Sequence, residues 1–360
     1  MMEFIDLNKQ YQRIKVEVDN AISNVLNHGQ YILGPEVANL ESSLSQYLGV
    51  KHSIGCASGT DALLIALMAL EIGPGDEVII PDFTFFATAE VVSLLGATPI
   101  FADINPDTYN MCLDDVSKKI TNKTKAIIPV SLYGLAYDIS SLQNISHDIS
   151  IIEDAAQSFG AVTRGVKSCT QATISCTSFF PSKPLGGYGD GGALFTNSDE
   201  LNEKIRIILK HGQSERYVHT HIGVNGRLDT IQAAILIEKL KIFPDELNSR
   251  QVVADRYRSN LESTFKLQNI GNNTSAYAQF TIEVDNRDAV IKFLKDHGIP
   301  SAVHYPVPLS KQPVYSKLSS AYNNVNTINA SNRVISLPFH PYLTEESIDK
   351  VCNLLLRFKS

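Results

Sequence analysis

The chain has 360 residues, 44% of them apolar and 19% charged, with a formal net charge of −7 at pH 7. The length exceeds one ordinary core and predicts a large domain over 1–248 with a smaller one over 249–360. The composition is that of a soluble globular protein, and the negative field disfavours nonspecific binding to nucleic acid or an anionic membrane.

At the N-terminus, Met1-Met-Glu-Phe-Ile-Asp-Leu-Asn8 has neither the basic start nor the apolar core of a signal peptide. No apolar run approaches the ~20 residues of a membrane span, so a cytoplasmic location is expected. Cys56, Cys112, Cys169, Cys176 and Cys352 are odd in number and lack C-x-x-C spacing, which reads as reduced thiols. Cys169 and Cys176 have no histidine pair nearby, and no metal is expected.

From 52 to 210, short β-branched runs alternate with amphipathic segments. Strands are predicted over 52–57, 77–81, 98–103, 125–131, 149–154, 173–180 and 192–196. Helices are predicted over 60–71, 87–95, 113–120, 139–147 and 198–210. Such alternation predicts an α/β fold with a mostly parallel central sheet flanked by helices. A long helix follows over about 227–265, with a break at Pro244. The C-terminal unit reads as α+β, with a strand over 277–284 and helices over 287–297 and 344–357, the last capped by Thr344. Segments 269–275 and 319–327 read as loops.

Ligands of parallel sheets bind beyond the carboxyl ends of the strands, where several motifs fall. Ser58-Gly-Thr-Asp-Ala-Leu63 opens a helix after the first strand, and is either a phosphate cradle or a simple N-cap. Phe85, after the second strand, stacks on a flat ring or joins the core. In Ile151-Ile-Glu-Asp-Ala-Ala-Gln157, Asp154 ends a buried strand and needs a positive partner, a pyridinium or a structural cation. Gln157 faces the same ring, whereas alternation sends Glu153 to the other face with a structural role.

Lys183 sits between the 173–180 run and five glycines at 186–192. It is either a buried amine nucleophile with lowered pKa, as Schiff-base chemistry needs, or a solvated lysine in a glycine-rich turn. Gly187-Tyr-Gly-Asp-Gly-Gly192 matches G-x-G-x-x-G formally, but a strand rather than a helix follows, so no dinucleotide site is expected. Asn225 and Arg227 suit oxygen anions or form an ordinary helix entry. His304 and Tyr305 are a polar pair in an apolar stretch, either lining a site or buried in the core. Taken together, a lysine, a carboxylate, an aromatic and a Gly/Ser/Thr cradle are the set that pyridoxal 5′-phosphate requires.

The segments Gly59-Thr-Asp-Ala-Leu63, Glu153-Asp-Ala-Ala-Gln157, Ser178-Phe-Phe-Pro-Ser-Lys-Pro-Leu-Gly186, Gly189-Asp-Gly-Gly192 and Asn225-Gly-Arg-Leu-Asp229 resemble the DegT/DnrJ/EryC1/StrS sugar aminotransferases. The resemblance runs from Phe4 to Glu346. It implies the aspartate aminotransferase-like architecture, PLP fold type I. It also implies that Lys183 joins the cofactor and Asp154 meets its ring nitrogen. Gly59, Thr60 and Ser178 would hold the phosphate, with Phe85 and Gln157 flanking the ring. Asn225 and Arg227 would reach the neighbouring subunit's site in a homodimer, and His304 and Tyr305 would line the sugar-nucleotide side. Ser58 and Ser131 depart from the usual Asn and His of the family. Segments 131–134, 175–186, 303–313 and 340–343 point within it to transfer from L-glutamate to C3 of a UDP-linked 3-oxo-glucuronate for O-antigen synthesis. The alternatives are C4 of a 4-keto-6-deoxy sugar nucleotide, a sugar dehydratase, which Lys183 argues against, and a non-catalytic regulator.

Overall fold

The computed structural model describes residues 2–146 and 148–359. Seven strands form the main sheet: β1 (His52–Cys56), β2 (Glu77–Pro81), β3 (Thr98–Ala102), β4 (Thr124–Ile127), β5 (Ser150–Asp154), β6 (Ile174–Ser178) and β7 (Gly192–Thr196). They lie in the order β1-β7-β6-β5-β4-β2-β3. The pairs β2–β3, β2–β4, β4–β5 and β5–β6 are parallel, while β7 runs antiparallel to both β1 and β6. This is the mostly parallel α/β sheet that the alternating pattern predicts.

Both faces are covered, which is why the strands read as nearly continuous apolar runs. Ile54, Val78, Ile152 and Leu194 pack on one side with Leu63 of helix Gly59–Ala69. Phe195 and Ala193 pack on the other with Phe159, Phe179, Leu236 and Phe243. The strand expected over 125–131 stops at Ile127, since Pro129 offers no N–H to the ladder. The helix expected over 139–147 covers Ile139–Gln143, and its expected end, His147, lies outside the described residues.

Helix Thr230–Leu261 is continuous, so the break expected at Pro244 does not occur. The proline deprives the Leu240 carbonyl of its usual donor and costs about 3 kcal/mol. Burial of Phe243 and Leu247 on the same turns, together with packing of helices Lys15–His28 and Pro35–Leu48 against this helix, outweighs that loss. Neither N-terminal helix was anticipated. Beyond it lies a three-stranded antiparallel sheet, β8 (Lys266–Leu267), β9 (Phe280–Glu283) and β10 (Val334–Leu337). Its own core contains Tyr257, Phe280, Ile282, Leu294 and Val351.

Segment 319–327 is not all loop: Val325 begins a helix that runs to Arg333. Its first amides are capped from a distant strand end, Asp103 accepting from Asn326 N at 3.1 Å and Thr327 N at 2.8 Å. Thr344 caps the last helix as expected, its Oγ1 accepting from Ser347 N at 3.3 Å. No described helix is long and apolar enough to cross a membrane.

Candidate active site

Strands β5 and β6 end side by side, with Asp154 opposite Cys176. The chain leaves β6 into residues 179–191 and comes back as β7. Phe179 N donates to Gly191 O at 2.8 Å, Gly187 N to Phe179 O at 2.7 Å and Lys183 N to Phe180 O at 2.9 Å, closing a compact loop. Gly186 is needed for close approach, because a Cβ there would lie 2.5 Å from Pro181 O. Lys183 stands half-buried on this loop, near enough to the carboxylate that ends β5 to feel its charge.

The pair is electrostatically coupled. Burial lowers the pKa of the Lys183 amine, and the Asp154 charge opposes that shift. Burial raises Asp154, opposed by the Ala156 N–H at 3.1 Å, the Lys183 charge and the Thr88 hydroxyl at 3.2 Å. Partial burial and this coupling favour the nucleophile reading over a solvated turn lysine. An amine whose charged form is disfavoured is a usable nucleophile and base.

Gln157 fixes the next layer. Its Oε1 accepts from Tyr133 N at 2.7 Å, and its Nε2 donates to the Tyr305 hydroxyl at 3.2 Å. The Tyr305 ring lies 6.2 Å from that of Phe85, which is 58% exposed and so is not part of the core. His304 shares a hydrogen bond between Nδ1 and Ser336 Oγ at 2.9 Å. Burial, with a smaller effect from the Lys183 charge, lowers its pKa to about 4.

On the other side, helix Gly59–Ala69 begins against the end of β6. A Cβ on Gly59 would come within 2.7 Å of Ser178 Cβ, so only glycine lets these segments meet. Ser58 does act as N-cap, accepting from Asp61 N at 3.0 Å. Gly59 and Thr60 follow it at the helix start, where free amides and the positive dipole end favour an anion. Asn225 and Arg227 do not join the Lys183 cluster within one chain. They hydrogen-bond to each other beside the end of β1, where Ala57 N donates to Gly226 O at 2.9 Å. The buried Nε of Arg227 has no hydrogen-bond partner among the described residues.

Two participants were missed in the sequence, although both lie in segments already singled out. Thr88 donates to Asp154 from the first turn of helix Ala87–Leu94, and Tyr133 holds Gln157 and also hydrogen-bonds to the His304 carbonyl. Glu153 has the structural role expected. It accepts from Ser168 Oγ at 2.5 Å, Cys169 N at 2.8 Å, Ser175 Oγ at 3.1 Å and Ser131 Oγ at 3.3 Å. The site fits pyridoxal 5′-phosphate: a buried carboxylate for a cationic ring nitrogen, an amine for the aldehyde and a tight helix start for the phosphate.

Residues 12–356 match the model of the DegT/DnrJ/EryC1/StrS aminotransferase family. The chain belongs to this family. It is 53% identical, over 99% of both chains, to the UDP-2-acetamido-2-deoxy-3-oxo-D-glucuronate aminotransferase of Pseudomonas aeruginosa. Among solved structures it is similar to a DegT DnrJ EryC1 StrS aminotransferase from Brucella abortus, with 45% identity, a TM-score of 0.96 and 99% of each chain covered. It also resembles NtdA of Bacillus subtilis, solved with bound cofactor PMP, at 32% identity and a TM-score of 0.88, over 95% of this chain and 81% of that one. Membership makes the protein an aminotransferase, and the sheet described above is the family's fold.

Proposed function

We propose that this aminotransferase moves an amino group from L-glutamate to the C3 ketone of UDP-2-acetamido-2-deoxy-3-oxo-glucuronate, for bacterial O-antigen or related surface polysaccharides. The observation that carries the chemistry is the Lys183–Asp154 pair at the carboxyl edge of the sheet. The similarity to the Pseudomonas enzyme along the whole of both chains supports the choice of sugar.

Pyridoxal 5′-phosphate, when bound, supplies an aldehyde on an electron-withdrawing ring that carries the amino group between the two substrates. Lys183 Nζ would hold that aldehyde, with loss of water, and once freed would take and return the proton of the reacting carbon. Asp154 holds the ring nitrogen in its charged form. Gly59, Thr60 and Ser178 receive the phosphate, and Phe85 and Gln157 flank the ring. His304, with a pKa of about 4, is neutral near pH 7 and offers the sugar a hydrogen bond rather than a charge. Tyr305 lines the same side, and Arg227 suits a sugar carboxylate through its planar guanidinium.

The working form is a homodimer in the cytoplasm, with Asn225 and Arg227 completing the partner's site. Exposed apolar residues support this reading: Phe180, Tyr217 and Ile222 stand at 51%, 80% and 87% exposure. The division into 1–248 and 249–360 has the support of the separate C-terminal core, with the long helix shared between the two units. The test is to supply glutamate with each candidate keto sugar nucleotide and locate the new amine by NMR. An amine at C4 of a 4-keto-6-deoxy sugar, with none formed from the 3-oxo-glucuronate, would overturn the assignment.

A further inference from the structure

Lys239 is a core cation that the chemistry above does not use. It is 1% exposed, and among the described residues it forms no ion pair, Glu246 acting on it only at longer range. A buried ammonium without a paired carboxylate costs stability, and an apolar side chain of similar length ordinarily does better in such a place. Among the described residues its ammonium has a hydrogen bond and a ring contact, both with the loop that carries Lys183. Nζ donates to Gly186 O at 2.5 Å and lies 4.4 Å from the centre of the Tyr188 ring.

Gln232 stands two turns earlier on the same face of the long helix. Its Oε1 accepts from Tyr188 N at 2.8 Å. A Cβ on Gly187 would approach that oxygen to 2.7 Å, and one on Gly189 would approach Gln232 Nε2 to 2.9 Å. Gly186, Gly187 and Gly189 carry no side chains to lock the segment, and each glycine left free adds backbone entropy. Backbone hydrogen bonds such as Gly187 N to Phe179 O close the loop on itself, and these two helix residues tie it to the rest of the domain.

We infer that Lys239 and Gln232 are positioning residues for the transfer reaction: they clamp residues 186–189 to the long helix and so fix where Lys183 Nζ stands relative to Asp154. This rests on the aminotransferase reading given above.

The test compares Lys239→Met and Gln232→Leu with the parent holoenzyme. It measures kcat, KM for the keto sugar, the pH midpoint of the visible band of lysine-bound pyridoxal phosphate, and the melting temperature. Lys239→Met is expected to melt no lower than the parent and to shift the midpoint of the band. Its kcat should fall about 10- to 100-fold, as a misplacement near 1 Å would cause, with KM within about 2-fold. A parent-like kcat and band midpoint would overturn the inference, as would a kcat loss that only tracks a lower melting temperature. Should Lys239→Met not fold, Gln232→Leu decides by the same readings. If neither folds, the contacts hold the fold rather than the loop, and the clamp is withdrawn. A parent protein that neither takes up pyridoxal phosphate nor transfers an amine would instead remove the functional reading.

Discussion

Asp154 and Gly59 separate catalysis from stability at the scale of single residues. Asp154 is a buried carboxylate with only the Thr88 hydroxyl and the Ala156 amide as close donors among the described residues. Asp154→Asn removes a costly buried charge, so the cofactor-free variant should melt no lower than the parent. The positive end of the ring loses its counter-charge, and kcat should fall at least about 100-fold, the size of effect typical of a lost electrostatic contact in an active site. Steady-state kinetics beside a melting curve check both halves, and an unchanged kcat would remove Asp154 from its role. Gly59→Ala acts by crowding: the new methyl meets Ser178 Cβ at 2.7 Å, and neither helix start nor strand end yields freely. The misfit should cost about 1–3 kcal/mol, read as weaker uptake of pyridoxal phosphate in a titration of cofactor-free protein. Equal uptake would place the phosphate elsewhere.

Among elements, the strands were legible because burial on both faces writes itself into continuous apolar runs, as in Glu77–Pro81 and Gly192–Thr196, whose bounds match the expectation. The lysine, its carboxylate and the Gly59 turn stand out in the sequence for a different reason, since each lies at or just beyond a strand end, where a charge or a glycine interrupts the apolar run. What escaped is what distant residues decide. The helix at Val325 is started by Asp103, and the long helix passes Pro244 because packing on both sides holds it. That helix yields a pH prediction through Lys239, whose pKa is lowered from the ordinary 10.5 to about 8 by burial. Between those values the unfolded chain holds a proton that the folded one has lost, so stability from this group rises with pH across the window. Urea unfolding of cofactor-free protein below and above the window should show the parent gaining on Lys239→Met. A constant difference would contradict the shift.

For the whole molecule, the separation of Arg227 from the Lys183 cluster within one chain has a testable meaning. Lys183→Ala and Arg227→Ala should each be nearly inactive as pure dimers. Mixed by unfolding and refolding together, half the dimers are hybrids in which one site carries both native residues, so activity should recover to about a quarter of the parent's. No recovery would mean that each chain builds its site alone. The reversed direction of β7 carries a broader consequence. Because the polypeptide exits and re-enters the sheet through neighbouring strands, the reactive nitrogen is moored at both ends of one short span. The rim formed by Phe85 and His304 hangs on other segments. On the proposed function, exchange of rim residues retunes which sugar is accepted while the Lys183 nitrogen keeps its address.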